Sequence, residues 1–215
     1  MNISNIHDHT FYQVDVYKNG LYGSESPARY GRKPDEFISL YKRNNITHVI
    51  SLDDEGLENI EISCKEHGVD HQSRLIEDFK IYKKSYDGYF LPLLKEVQKI
   101  MLDPKNKIVF HCRAGHGRTG TVLSALKIFE IVNFKRKKED LKLLIDNNSG
   151  ELLKNNQILP SKENTPYQVS KIVQEAINVI RTSKNGGNKG AVESGKDIET
   201  LNLWAYRIIF TKLNE

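Results

Sequence analysis

One short run gathers a cysteine, two histidines and two arginines: His111-Cys112-Arg113-Ala114-Gly115-His116-Gly117-Arg118-Thr119-Gly120. It follows the apolar stretch Lys107–His111, read as a strand, and opens a segment from Arg118 to Val132, read as a helix. A glycine-bearing loop between strand and helix gathers backbone N–H groups ahead of the helix N-terminus, which makes an anion site. Gly115, Gly117 and Gly120 permit the tight turn and a close approach of backbone to ligand. Cys112 is expected at the strand end, facing that site. The helix dipole, the inward N–H groups and a nearby guanidinium favour its thiolate, which is the nucleophilic form. Arg118, opening the helix, has a planar fork that fits two oxygens of a tetrahedral phosphate. Thr119 places a hydroxyl where it could reach the sulfur and ease its departure.

Three other readings of the loop fail. No Gly-Lys-Ser/Thr closes it, so it is not a nucleotide-binding loop. One cysteine and two histidines in six residues cannot wrap a tetrahedral metal, and no metal or cofactor is assigned. There is no Cys-x-x-Cys redox pair. The run resembles the His-Cys-x5-Arg-Ser/Thr signature of the protein tyrosine phosphatase superfamily, and the likeness spans about residues 10–182. The resemblance implies a metal-independent phosphatase in which Cys112 takes the phosphoryl group and water then releases it. Arg113, Ala114, Gly115, His116, Gly117 and Arg118 would surround the phosphate.

The family also needs a carboxylic acid on a separate loop after a strand, upstream of the cysteine. General-acid help of this kind contributes roughly 10²–10⁴-fold. Asp78 fits, because Arg74-Leu75-Ile76-Glu77-Asp78-Phe79 resembles the acid loop of dual-specificity phosphatases. Asp53, Asp54, Glu55, Glu77 and Asp87 are the other carboxylates in range. The tyrosine-specific branch carries Trp-Pro-Asp in this loop. Here the loop reads Ile-Glu-Asp and the single tryptophan is Trp204, which favours a dual-specificity-like, shallower site. Gln168 could position the hydrolytic water, as a glutamine does in some relatives. Cys64 reads as a small core residue, or as a redox partner of Cys112 if the two lie close.

Arg113 and His116 put basic groups at the first and fourth variable loop positions. Phosphoinositide phosphatases resemble this loop there, while cell-cycle-type dual-specificity phosphatases keep a basic first position. The expected substrate is a phosphoprotein carrying phosphotyrosine, phosphoserine or phosphothreonine. The alternative is a phosphoinositide or inositol polyphosphate, and a third reading is a catalytically weak phosphate-binding module. Lys80, Lys83 and Lys84 follow the acid loop and could add a positive rim. Lys135-Arg136-Lys137-Lys138 could touch an anionic membrane leaflet, although Glu139 and Asp140 follow directly.

These groups need a frame to hold them. Alternation in Phe11–Val16 and Leu21–Ser24 reads as a hairpin around Lys18-Asn19-Gly20. A helix starts at Pro34 with acids in its first turn. Ile46–Leu52 and His71–Ile76 read as strands, with a helix over 56–67 between them. Residues 86–102 have helical periodicity, as do 118–132, 137–146 and the segment after Pro166. A polar loop is expected over 147–165. The β-α alternation points to an α/β fold: a central, mostly parallel sheet of about five strands flanked by helices. The domain is expected over 1–182. The glycine-rich stretch 183–197 reads as a flexible linker, and 198–215 as a C-terminal helix that packs back or binds a partner.

Composition agrees with this frame. The 215 residues carry a net charge of +4, too little for a nucleic-acid footprint. Nothing approaches the ~20 consecutive apolar residues of a membrane span, and the start lacks a secretory layout. An intracellular protein is expected.

Overall fold

The structure is a computed structural model and describes residues 11–18, 20–77, 89–142, 167–182, 187–192 and 194–215. Strand β1 (Phe11–Val14) pairs antiparallel with β2 (Leu21–Glu25). Strands β3 (His48–Ser51), β4 (Asp70–Ser73) and β5 (Ile108–Cys112) complete a sheet of order β1-β2-β5-β3-β4, parallel except at β1. The α/β expectation holds: the sheet is mixed, mostly parallel, and covered by helices.

Helices α1 (Asp35–Arg43) and α2 (Leu57–Glu66) cover one face, where Phe37, Ile38, Tyr41, Ile60 and Cys64 pack on Val49 and Val109. Helices α3 (Leu91–Ile100), α4 (Gly117–Glu130), α6 (Tyr167–Thr182) and α7 (Gly195–Asn214) cover the other, over Ile108, Phe110 and Cys112. Neighbouring residues of β5 thus serve opposite faces, as the two-residue period of a strand requires. A short helix, α5 (Lys138–Lys142), follows a π-helical turn at Ile131–Lys135.

Strand β5 is central and buried throughout, as parallel strands covered on both faces are. Strand β4 lies at the edge and is shorter than the sequence pattern predicts. Its continuation still hydrogen-bonds to the end of β3, Arg74 N–H to the Ser51 carbonyl at 2.8 Å and Ile76 N–H to the Leu52 carbonyl at 2.9 Å. Helix α4 is buried from Thr119 to Ile128, because the sheet lies on one side and α6 and α7 on the other. Trp204 of α7 is buried against the Phe90 ring and donates its indole N–H to the Ala125 carbonyl at 2.8 Å. Of the two readings of the last helix, the structure shows it packed back on the domain.

The flexible-linker expectation for 183–197 needs correction where the stretch is described. Gly187, Asn188, Ala191 and Val192 are buried. Arg181 holds the Ala191 and Val192 carbonyls at 3.0 and 3.2 Å. A capping box between Ser194 and Asp197 then starts α7. Gly190, one of the glycines that suggested slackness, allows close packing instead: a Cβ there would lie 2.9 Å from His116 Nδ1. Asp78, Lys80, Lys83, Lys84, Asp87 and the 147–165 loop lie outside the described residues, as does the side chain of Gln168.

Candidate active site

The signature run turns between the end of β5 and the start of α4. Cys112 is the last residue of β5, 3% exposed, and opposite Glu25 of β2 in the ladder. Gly115 turns the chain at φ +74° and donates its N–H to the Cys112 carbonyl at 3.2 Å. A Cβ at that position would lie 2.8 Å from the carbonyl carbon and oxygen of Ser24 and the amide nitrogen of Glu25. Gly115→Ala is therefore expected to cost about 1–3 kcal/mol of stability and to weaken phosphate binding. Thermal unfolding and phosphate titration of the variant check both.

Helix α4 begins at Gly117 with His116 at its N-cap, and among the described residues no side chain caps it. Uncapped N–H groups at a helix start are donors in search of an acceptor, and the dipole there favours an anion. Arg118 follows, mostly buried; its guanidinium donates to the Ile76 carbonyl at 3.0 Å and lies 4.0 Å from Asp53. Thr119 is buried, and its hydroxyl has no hydrogen-bond partner among the described residues.

Above the loop opens a cavity of about 610 Å³ lined by Asp53, Asp54, Glu55, Leu75, Ile76, Glu77, Arg113 and Arg118. Arg113 is exposed, and its Nε is 3.4 Å from Glu55. Asp53, at the end of β3, is 5% exposed, with neither oxygen hydrogen-bonded among the described residues. Burial pushes its carboxyl up to about 6, against the pull of Arg118. Behind it, Ser51 Oγ joins His111 Nε2 at 2.7 Å and His71 Nε2 at 2.8 Å. Burial pushes His111 down to about 3, so it is neutral at ordinary pH.

Two groups that the sequence reading missed meet at the loop. The Gly115 carbonyl accepts from Tyr12 Oη at 3.0 Å and from Asn188 Nδ2 at 2.8 Å. Tyr12 read only as an alternating strand residue and Asn188 as linker; neither carries a local signal. The remaining sequence expectations disperse. Cys64 belongs to the α1–α2 side of the sheet and Cys112 to the other, and both thiols are free. In the basic run, Lys135 lies 3.8 Å from Glu130 and Arg136 3.4 Å from Glu175. Among the described residues no helix is long and apolar enough to cross a membrane.

The family model described as "polymorphic toxin system, DSP-PTPase phosphatase" matches residues 22–132, more than half of the chain and the whole of the loop. The chain belongs to that family. It is a phosphatase of the dual-specificity-like branch of the tyrosine phosphatase superfamily, a cysteine-based hydrolase of phosphate monoesters. Solved structures of that fold resemble it at low identity. Tk-PTP in its active form is 17% identical with a TM-score of 0.54, covering 91% of this chain and 97% of that one. The kinase associated phosphatase with serine at its catalytic-site cysteine is 14% identical with a TM-score of 0.56, covering 92% and 94%. PTPMT1 in complex with PI(5)P is 12% identical with a TM-score of 0.57, covering 94% and 98%. A comparison with curated protein sequences gave no match.

Proposed function

We propose that this phosphatase works through a cysteinyl-phosphate on Cys112 and that its substrates are phosphoproteins. The observation that carries the mechanism is the juxtaposition, around one glycine turn, of Cys112 at the strand end, an uncapped helix start and the half-embedded fork of Arg118. Backbone N–H groups from Arg113 to Arg118 and the guanidinium take the non-bridging oxygens, which stabilises the charge of the in-line transition state. The Cys112 thiolate forms the S–P bond as the P–O bond to the alcohol breaks. Asp78 gives its proton to that leaving oxygen. In the second step a water, which Gln168 would orient, attacks phosphorus and passes a proton to Asp78. The S–P bond breaks, and the Thr119 hydroxyl donates to the departing thiolate.

The preference for protein over inositol phosphate rests on the pocket wall. Asp53, Asp54, Glu55 and Glu77 line it, and Glu55 already pairs with Arg113. A substrate with several phosphates would set its extra charges against these carboxylates, whereas one phosphate on a neutral or basic peptide would not.

A small aryl phosphate should be hydrolysed at an unchanged rate with excess chelator. In a phosphate-release assay run side by side, phosphopeptides should be used faster than inositol phosphates. If inositol phosphates are faster, and Arg113→Ala and His116→Ala slow only those, the substrate reading gives way to the phosphoinositide one. No turnover of any ester would leave a phosphate-binding module.

A further inference from the structure

The segment that binds back on the loop lies outside the family-matched residues, and so does Tyr12. It is anchored at both ends of a short span. Asn188 N–H donates to the Ile180 carbonyl at 3.1 Å, and Arg181 grips the Ala191 and Val192 carbonyls. It reaches the signature run closely enough that a Cβ on Gly120 would lie 2.8 Å from the Ala191 Cβ. Asn188, 4% exposed, is the residue that makes polar contact with the run.

Its amide orientation follows from its neighbours. The Gly115 carbonyl only accepts, so the group 2.8 Å from it is the Asn188 NH2. The Gly190 N–H only donates, so the atom 2.9 Å from it is Asn188 Oδ1. His116 Nδ1 lies 2.7 Å from that same oxygen. An amide oxygen has no proton to give, so His116 Nδ1 must carry one. In the neutral imidazole this leaves Nε2 as the unprotonated nitrogen.

We propose that Asn188 is a positioning residue of this phosphatase: one side chain pins the Gly115 turn and fixes the tautomer of His116. The assignment rests on the phosphatase reading for its effect on rate, but not for its effect on the imidazole. Pinning the Gly115 carbonyl holds the turn that joins Cys112 to the start of α4. Neither Asn188 nor the ring is part of the bond-making group.

The test uses the full chain labelled with nitrogen-15. At a pH where the ring is neutral, the His116 nitrogen shifts should report Nδ1–H in the wild type and lose that preference in Asn188→Ala. The alanine variant should lose about 10–100-fold in kcat/KM on an aryl phosphate, the scale expected for misplacing a reacting geometry. Asn188→Asp keeps an acceptor for His116 and Gly190 but cannot donate to the Gly115 carbonyl. It should keep the Nδ1–H tautomer and still lose kcat/KM. Neutral His116 in the wild type carrying its proton on Nε2 would overturn the assignment. So would both variants matching wild-type kcat/KM at equal folded fraction by circular dichroism. A wild type without turnover on any ester would defeat the phosphatase reading instead, and the tautomer measurement would then decide the role of Asn188.

Discussion

Serine at position 112 is expected to reduce turnover by about 10⁴–10⁶-fold, the scale seen when an enzyme's nucleophile is removed. The reason is the state of the attacking atom. A thiol ionises far more readily than an aliphatic hydroxyl, and the anion is the attacking form, so serine is a far poorer nucleophile. The change spares the Gly115 turn, held by Tyr12 and Asn188 as well as by backbone bonds, and Arg118, held by the Ile76 carbonyl. Inorganic phosphate should therefore still bind Cys112→Ser. Calorimetric titration alongside a phosphate-release assay reads both halves. Cys64 gives no escape route. It is buried in the α1–α2 cluster, and burial pushes its thiol up to about 12. Turnover surviving in the serine variant would move the nucleophile elsewhere and sink the mechanism.

The loop was legible in sequence because its function depends on local features: a strand end, glycines at fixed intervals and a helix start lie within one short stretch. The sheet was legible for a similar reason, since apolar alternation and turn residues are short-range signals. What escaped depends on contacts between distant parts of the chain. Nothing near Asp53 in sequence says that its carboxylate will sit beside Arg118, 4.0 Å away. Asn188 was hidden by its glycine neighbours. Gly186-Gly187 and Gly190 read as slack, yet Gly190 is where the chain passes His116 so closely that a Cβ would lie 2.9 Å from its Nδ1. Composition reports what backbone a stretch is able to adopt, and the tertiary partner decides which it does adopt. The short β4 belongs to an edge strand with one neighbour, and past Ser73 its backbone keeps only the bonds of Arg74 and Ile76 to the end of β3 among those described.

Asp78→Asn is expected to slow phosphorylation of the cysteine by about 10²–10⁴-fold for an alkyl phosphate, with little loss for an aryl ester whose oxygen leaves without a proton. The chain order favours this residue, because it directly follows Glu77, which lines the cavity. Asp53 is the rival, since a carboxyl raised to about 6 keeps its proton where an ordinary one does not. Its surroundings point to a different task. It lies 3.7 Å from His111 and 4.0 Å from Arg118, 5% exposed in the wall of the cavity, where it faces the arginine proposed to bind phosphate. Asp53→Asn should accordingly cost much less than Asp78→Asn, and equally for alkyl and aryl esters. Asp53 also bears on stability. Folded Asp53 holds its proton more tightly than the unfolded chain, so wild-type stability falls as pH rises from about 4 to about 6. Asp53→Asn should remove that fall, which denaturant titrations at several pH values would show. A leaving-group dependence appearing in Asp53→Asn and absent from Asp78→Asn would transfer the acid role to β3.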